Sequence, residues 1–212
     1  MKKLAFTVIE LIFVIIVIGI LSATFIPKFG QNKLSQAANQ VISDIRYTQH
    51  LAMIDDKYNA TDKDWYKRRW QIIFGTSTYT NNQPAYTIFA DTSGTGNPDI
   101  KEIAKNPANP SQLLTGGFSG GLYSSDPRVT ASMNLGSKYG ITAYALSGGC
   151  SGARISFDHM GRPLKGDLST MTGPYSAGTK RLITSQCVIT LSRSNDSIKI
   201  AIEPETGYVH IL

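Results

Sequence analysis

Apolar residues dominate the chain from Phe6 to Ile26, broken by a single charge at Glu10. About 21 helical positions would rise roughly 31 Å, the depth of a hydrocarbon core. Pro27 closes the run and Gly30 follows. A proline costs about 3 kcal/mol inside a helix, so a kink or break is expected there. A 3.6-residue period then resumes: Leu34, Ala38, Val41, Ile45 and Ala52 fall near one face with Ile42 beside them. Gln36, Asn39, Asp44 and Arg46 take the opposite, polar side. The pattern predicts one long helix from about Phe6 to Asp56 with a weak point near Pro27.

Beyond Arg69 the pattern is that of strands. The candidates are Trp70–Phe74, Ala85–Ala90, Val129–Asn134, Gly140–Ala145, Arg154–Phe157, Cys187–Ser192, Ser197–Ile202 and Tyr208–Leu212. Ser197–Ile202 alternates polar and apolar, as a half-buried strand does. Gly, Ser, Asn and Pro cluster between the runs, and Arg193–Asp196 reads as a hairpin loop. No repeat of solenoid length is present. The expected fold is α+β: a long N-terminal helix, transmembrane in its first half and amphipathic in its second, packed on a C-terminal antiparallel β domain.

The glutamate inside the apolar run needs a reason. A charge deep in a bilayer costs roughly 3 kcal/mol. Either Glu10 lies near the interface and reaches the headgroups, or the acid has work to do. A cleavable secretory signal accounts for Lys2, Lys3 and the run, but not for Glu10, and Leu21-Ser22-Ala23 is a poor cleavage site.

The stretch Lys2-Lys3-Leu4-Ala5 followed by Phe6-Thr7-Val8-Ile9-Glu10-Leu11 resembles the class III signal of type IV pilins and type II secretion pseudopilins. The resemblance implies that a prepilin peptidase cuts between Ala5 and Phe6 and methylates the new amino group of Phe6. It also implies that Glu10 pairs with a neighbouring subunit's terminal ammonium and sets register in a filament. The family more often has Gly where this chain has Ala5. The implied segments are a cleaved leader, 1–5; a transmembrane or filament-core helix, 6–27; an amphipathic helix, 28–58; and a β-rich pilin-like domain, 59–212. Leu34–Met53, with "SDIRYTQHLAM", together with "ISFDHMGRP" and "IKIAIEPETGYVHI", is similar to the H-type minor pseudopilins and the FimT-like minor pilins. In those proteins Gly-Arg-Pro (here Gly161-Arg162-Pro163) lies in a strand–turn–strand, and a closing hairpin carries Thr-Gly-x-Val (here Thr206 to Val209). Residues 104–153 match no pattern of that group.

Composition narrows the picture a little. At 212 residues the chain has room for one domain after the apolar segment, and its formal charge is +6, two fewer once Lys2 and Lys3 leave. That is mildly basic and compatible with DNA or acidic surfaces. Lys2 and Lys3 ahead of the run place the N-terminus in the cytoplasm. A single-pass inner-membrane protein is then expected, its C-terminal domain periplasmic or on an extracytoplasmic filament. Cys150 and Cys187 show no metal-type spacing, and in an oxidising compartment a disulfide is the leading reading, the alternative being two buried thiols.

Chemical candidates are few. Lys67-Arg68-Arg69 interleaves with Trp65, Tyr66 and Trp70, an arrangement that binds single-stranded nucleic acid but also describes an ordinary loop with snorkelling bases. "GFSGG" around Ser119 fits a nucleophile elbow but lacks the flanking strand and helix. His50, His159 and His210 stand without an acid or second histidine at dyad spacing. Asp91, Ser93, Thr95, Gly96, Asp99 and Glu102 occupy calcium-loop positions, yet hydroxyls replace two acids and Pro98 interrupts the spacing. A plain hairpin loop explains them as well. The resulting expectation is a minor pseudopilin or pilin-like subunit without cofactor, metal or catalytic residues. Its partners would be other pilin subunits, the prepilin peptidase and an inner-membrane assembly platform. The alternative is a DNA-binding minor pilin of an uptake filament.

Overall fold

The computed structural model describes residues 7–25, 28–118, 120–150, 152–174 and 181–212. It begins with two helical segments, α1 (Val8–Phe25) and α2 (Lys28–Ile54). Pro27, the expected weak point, lies outside the described residues. Among the described residues no helix is long and apolar enough to cross a membrane. The 18 residues of α1 rise about 27 Å, short of the ~30 Å hydrocarbon core. Glu10 in its first turn shortens the apolar part further. This overturns the expected α+β fold with a transmembrane first half, and with it the single-pass inner-membrane location. What stands is helical segments at Val8–Phe25 and Lys28–Ile54 followed by a β-rich domain.

The core of that domain forms on α2. Leu34, Ala37, Ala38, Val41, Ile42, Ile45 and Ala52 are all buried and return every three or four residues, one stripe of a helix. Each fully buried Val or Ile contributes roughly 1.5–3 kcal/mol relative to exposure. Asp44, assigned to the polar side from the sequence, is buried as well.

Two four-stranded sheets pack against α2. The first contains β1 (Trp70–Gly75), β2 (Ala85–Ala90), β6 (Arg154–Phe157) and β7 (Pro163–Lys165), in the order β2-β1-β6-β7. The second contains β5 (Ala143–Gly148), β8 (Cys187–Arg193), β9 (Asp196–Ile202) and β10 (Val209–Ile211), in the order β10-β9-β8-β5. Every pairing within them is antiparallel. A hairpin of β3 (Lys105–Asn106) and β4 (Asn109–Leu113) stands apart. Pairing of Ile72 with Ile88 and Ile155 puts an apolar row on the face that meets α2. A short helix, α3 (Leu135–Tyr139), closes on Gly140.

The two family-like C-terminal blocks meet on one side chain of α2. Gln49 Nε2 donates to the carbonyls of Gly161 and Thr206, both at 2.8 Å. Position 207 must be glycine: its φ is +64°, and a Cβ there would stand 2.7 Å from the Gly161 carbonyl oxygen. Arg46 Nη2 adds a bond to the Val209 carbonyl at 2.7 Å. At about 1 kcal/mol per neutral hydrogen bond, Gln49→Ala is expected to lower stability by about 1–2 kcal/mol. Urea unfolding with an unchanged midpoint would show that the clamp contributes nothing.

Candidate assembly surface

The start of α1 is built by reciprocal hydrogen bonds. Thr7 N–H and Thr7 Oγ1 both donate to Glu10 Oε2 at 2.9 Å, and Glu10 N–H returns to Thr7 Oγ1 at 3.4 Å. This is a capping box, which satisfies amide donors that the first turn of a helix leaves orphaned. The Thr7 backbone N–H, then its hydroxyl, hold the Glu10 carboxyl below the usual range. From Val8 to Leu21 the large apolar side chains are exposed on every side of the helix, between 38% and 76% each. A helix that is apolar all round is at rest only when it is surrounded, and an exposed apolar surface of this extent marks an interaction site. Ala5 and Phe6, the expected cleavage point, lie outside the described residues.

The disulfide joins Cys150 to Cys187, and both residues are buried. Cys187 opens β8 and Cys150 lies two residues beyond β5, so the bridge ties neighbouring strands of the second sheet.

The basic connector is engaged internally. Lys67 Nζ lies 3.0 Å from Asp64 and Arg68 Nε 2.9 Å from Asp62. Arg69 sits over the Trp65 ring at 5.3 Å. Trp65 and Tyr66 are buried against Leu164, Leu168 and Met171, and Trp70 Nε1 donates to Asp55. The Trp65 and Tyr66 rings are thus taken up by the protein's own packing, and Lys57 Nζ lies 5.2 Å from the centre of the Trp70 ring.

The 91–102 loop is likewise self-contained. Asp91 accepts from the amides of Gly96 (2.9 Å) and Thr95 (3.1 Å). Glu102 accepts from the amides of Asp99 (2.9 Å) and Ser93 (2.5 Å) and from Thr92 Oγ1 (2.8 Å). Both acids anchor the loop's own backbone, and among the described residues no group of His, Cys, Asp and Glu could hold a metal ion. Ser119 lies outside the described residues.

His210 is not isolated as expected. Its Nε2 is 2.9 Å from Glu203 Oε1, and its ring stacks on Tyr208. Glu203 holds the imidazole above its ordinary value. Sequence spacing missed this pair because it is made across a hairpin, where Val209 opposes Ile202.

Asp44 is the other residue that the sequence placed wrongly. It is 8% exposed and accepts from Tyr86 Oη at 2.6 Å and Gln40 Nε2 at 3.0 Å. Burial, only partly offset by these bonds, raises its carboxyl above the ordinary aspartate value. An acid raised in the folded state stabilises the fold fully below its unfolded pKa, about 3.9. That contribution is lost as pH rises through the folded value. Asp44→Asn, which keeps an acceptor for Tyr86, is expected to remove this component. The stability difference between wild type and variant, measured by urea at successive pH values, should move in the variant's favour as pH rises across that window. A difference independent of pH would contradict this account.

No protein-family model, curated protein or solved structure matches this chain. The functional reading therefore rests on the residues and geometry above.

Proposed function

We propose that the chain is a structural subunit of a pilin- or pseudopilin-type filament, of the kind built by type II secretion or type IV pilus machines. In this reading it is cut between Ala5 and Phe6 and methylated at Phe6 by a prepilin peptidase. The observation that carries the reading is α1: a helix apolar on all sides and exposed along its length, with one acid held at its start. Packing such helices side by side removes their surface from water at roughly 25 cal/mol per Å². Glu10 is the only charged residue in α1. Buried in a bundle without a partner it would be strongly unfavourable, and a neighbouring terminal ammonium relieves it. The β-rich domain, anchored through α2, then faces outward. Mass spectrometry of protein from its native host tests the reading. A mature N-terminus at Phe6 carrying one extra methyl group is expected, and a chain that retains Met1 or starts beyond Ala23 overturns it.

A further inference from the structure

A groove of about 300 Å³ opens between α2, the β3–β4 hairpin and the 3₁₀ turn Ala131–Met133. Asp44 forms part of its lining, with Tyr47, Ser43 and Ser132 beside it and Pro107 and Leu114 as apolar walls. Two neutral groups, Tyr86 and Gln40, bind one oxygen of the Asp44 carboxylate. Among the described residues no Lys, Arg or His forms an ion pair with it.

We propose that this groove is a binding site for an organic cation, an ammonium or guanidinium group on a short alkyl stem, with Asp44 as its counter-ion. A buried carboxylate without a cation is costly, and an asparagine would accept the Tyr86 bond at less desolvation. An arriving cation changes that balance, because it restores the ionised form and gains a charge-assisted hydrogen bond. Tyr47 supplies an aromatic wall of the kind that attracts cations. The Ser43 and Ser132 hydroxyls can accept remaining N–H groups, while Pro107 and Leu114 suit a methylene stem. The shared chemistry fits a basic side chain of another copy of this chain or a free amine. This inference is independent of the filament reading.

The test is calorimetric titration of the full chain, held in a mild detergent, with butylammonium and propylguanidinium chlorides, and with n-butylurea as the uncharged control. At least one cation should saturate a single site per chain and n-butylurea should not. Asp44→Asn should weaken that binding at least about tenfold. Carboxyl NMR of the wild type provides a second readout that does not depend on the variant: the bound cation should lower the apparent pKa of Asp44. The absence of a saturable site for either cation, binding that survives Asp44→Asn in folded protein, or an unmoved Asp44 titration overturns the proposal. Sedimentation of the full chain identifies the source: saturating cation that dissociates assembled chains marks a basic side chain of another copy, and unchanged sedimentation marks a free amine.

Discussion

Glu10→Gln is expected to lower incorporation into filaments at least about a hundredfold, although α1 will still begin at the same residue. The two roles available to Glu10 differ in size, and this substitution separates them. As the third residue of a capping box, glutamine can replace glutamate, because the amide oxygen also accepts from the Thr7 amide. Loss of the Glu10 half of the box, as in Glu10→Val, costs about 1 kcal/mol at most, because Thr7 Oγ1 still accepts from the residue-10 amide. Breaking a buried charge pair costs about 3–5 kcal/mol, because the remaining charge is left uncompensated, and each 1.4 kcal/mol is tenfold in association. The filament reading therefore expects both variants to fail, Val only slightly more than Gln. A capping role alone expects Gln to assemble at the wild-type level and Val to fall a few-fold. Co-assembly of tagged variant with wild-type subunits, quantified in pelleted filaments, decides between them. Wild-type incorporation of Glu10→Gln would sink the register role while leaving the capping box intact.

The capping box illustrates what the sequence offers and what is easily passed over. Thr7-Val8-Ile9-Glu10 carries the S/T-x-x-E signature directly before an apolar run, yet attention to the charge alone hides the local partner. Strands that stand as apolar runs between turn residues were legible to the residue: Ala85–Ala90 and Arg154–Phe157 occur as expected. Val129–Asn134 was not a strand. There Asn134 donates to the Thr80 and Gly116 carbonyls and accepts from the Ser137 amide, so a polar side chain with distant partners turns the segment into a 3₁₀ turn and α3. The expected Gly140–Ala145 strand is observed as Ala143–Gly148, because Gly140 is spent capping α3 in a left-handed conformation. The β3–β4 hairpin was invisible for the opposite reason. Its strands carry Pro110 and a single apolar side chain at Leu113, and it is held by backbone pairing that leaves no apolar period. Asp44 lies one turn from both Val41 and Thr48, at the margin of the buried stripe, where polarity alone misplaces a residue that the Tyr86 hydroxyl draws inward. The apolar run Phe6–Ile26 is longer than α1, which begins at Val8 and carries Glu10 in its first turn, so the run's length alone overstates the apolar helix.

Cys150→Ser is expected to lower the melting temperature of the purified protein by about 5–10 °C, and wild-type protein prepared without reductant should show no free thiol. The connectivity gives the reason for a loss of this size. From Cys150 the chain leaves the second sheet and supplies β6 and β7 to the first. It returns to the second sheet only at Cys187, where β8 begins. The bridge closes this excursion at its base, across a sequence separation of 37. β6 lies between β1 and β7 in its sheet, while β8 lies between β5 and β9 in the other. Unlinked, the denatured chain regains the freedom of the whole loop, which includes Gly152, Gly161, Gly166 and Gly173, residues with the most conformational entropy to recover. Loop closure of this length is worth about 2–4 kcal/mol, and 1 kcal/mol moves the midpoint of a domain this large by about 2–4 °C. A serine hydroxyl at the buried 150 position adds a smaller desolvation cost in the same direction. Reduction of the wild type should reproduce most of the shift without that hydroxyl, which isolates the contribution of the cross-link. Two thiols that alkylate readily in unreduced, denatured protein would refute the bridge. A reduced protein that melts where the oxidised one does would show that the two sheets hold the loop without it.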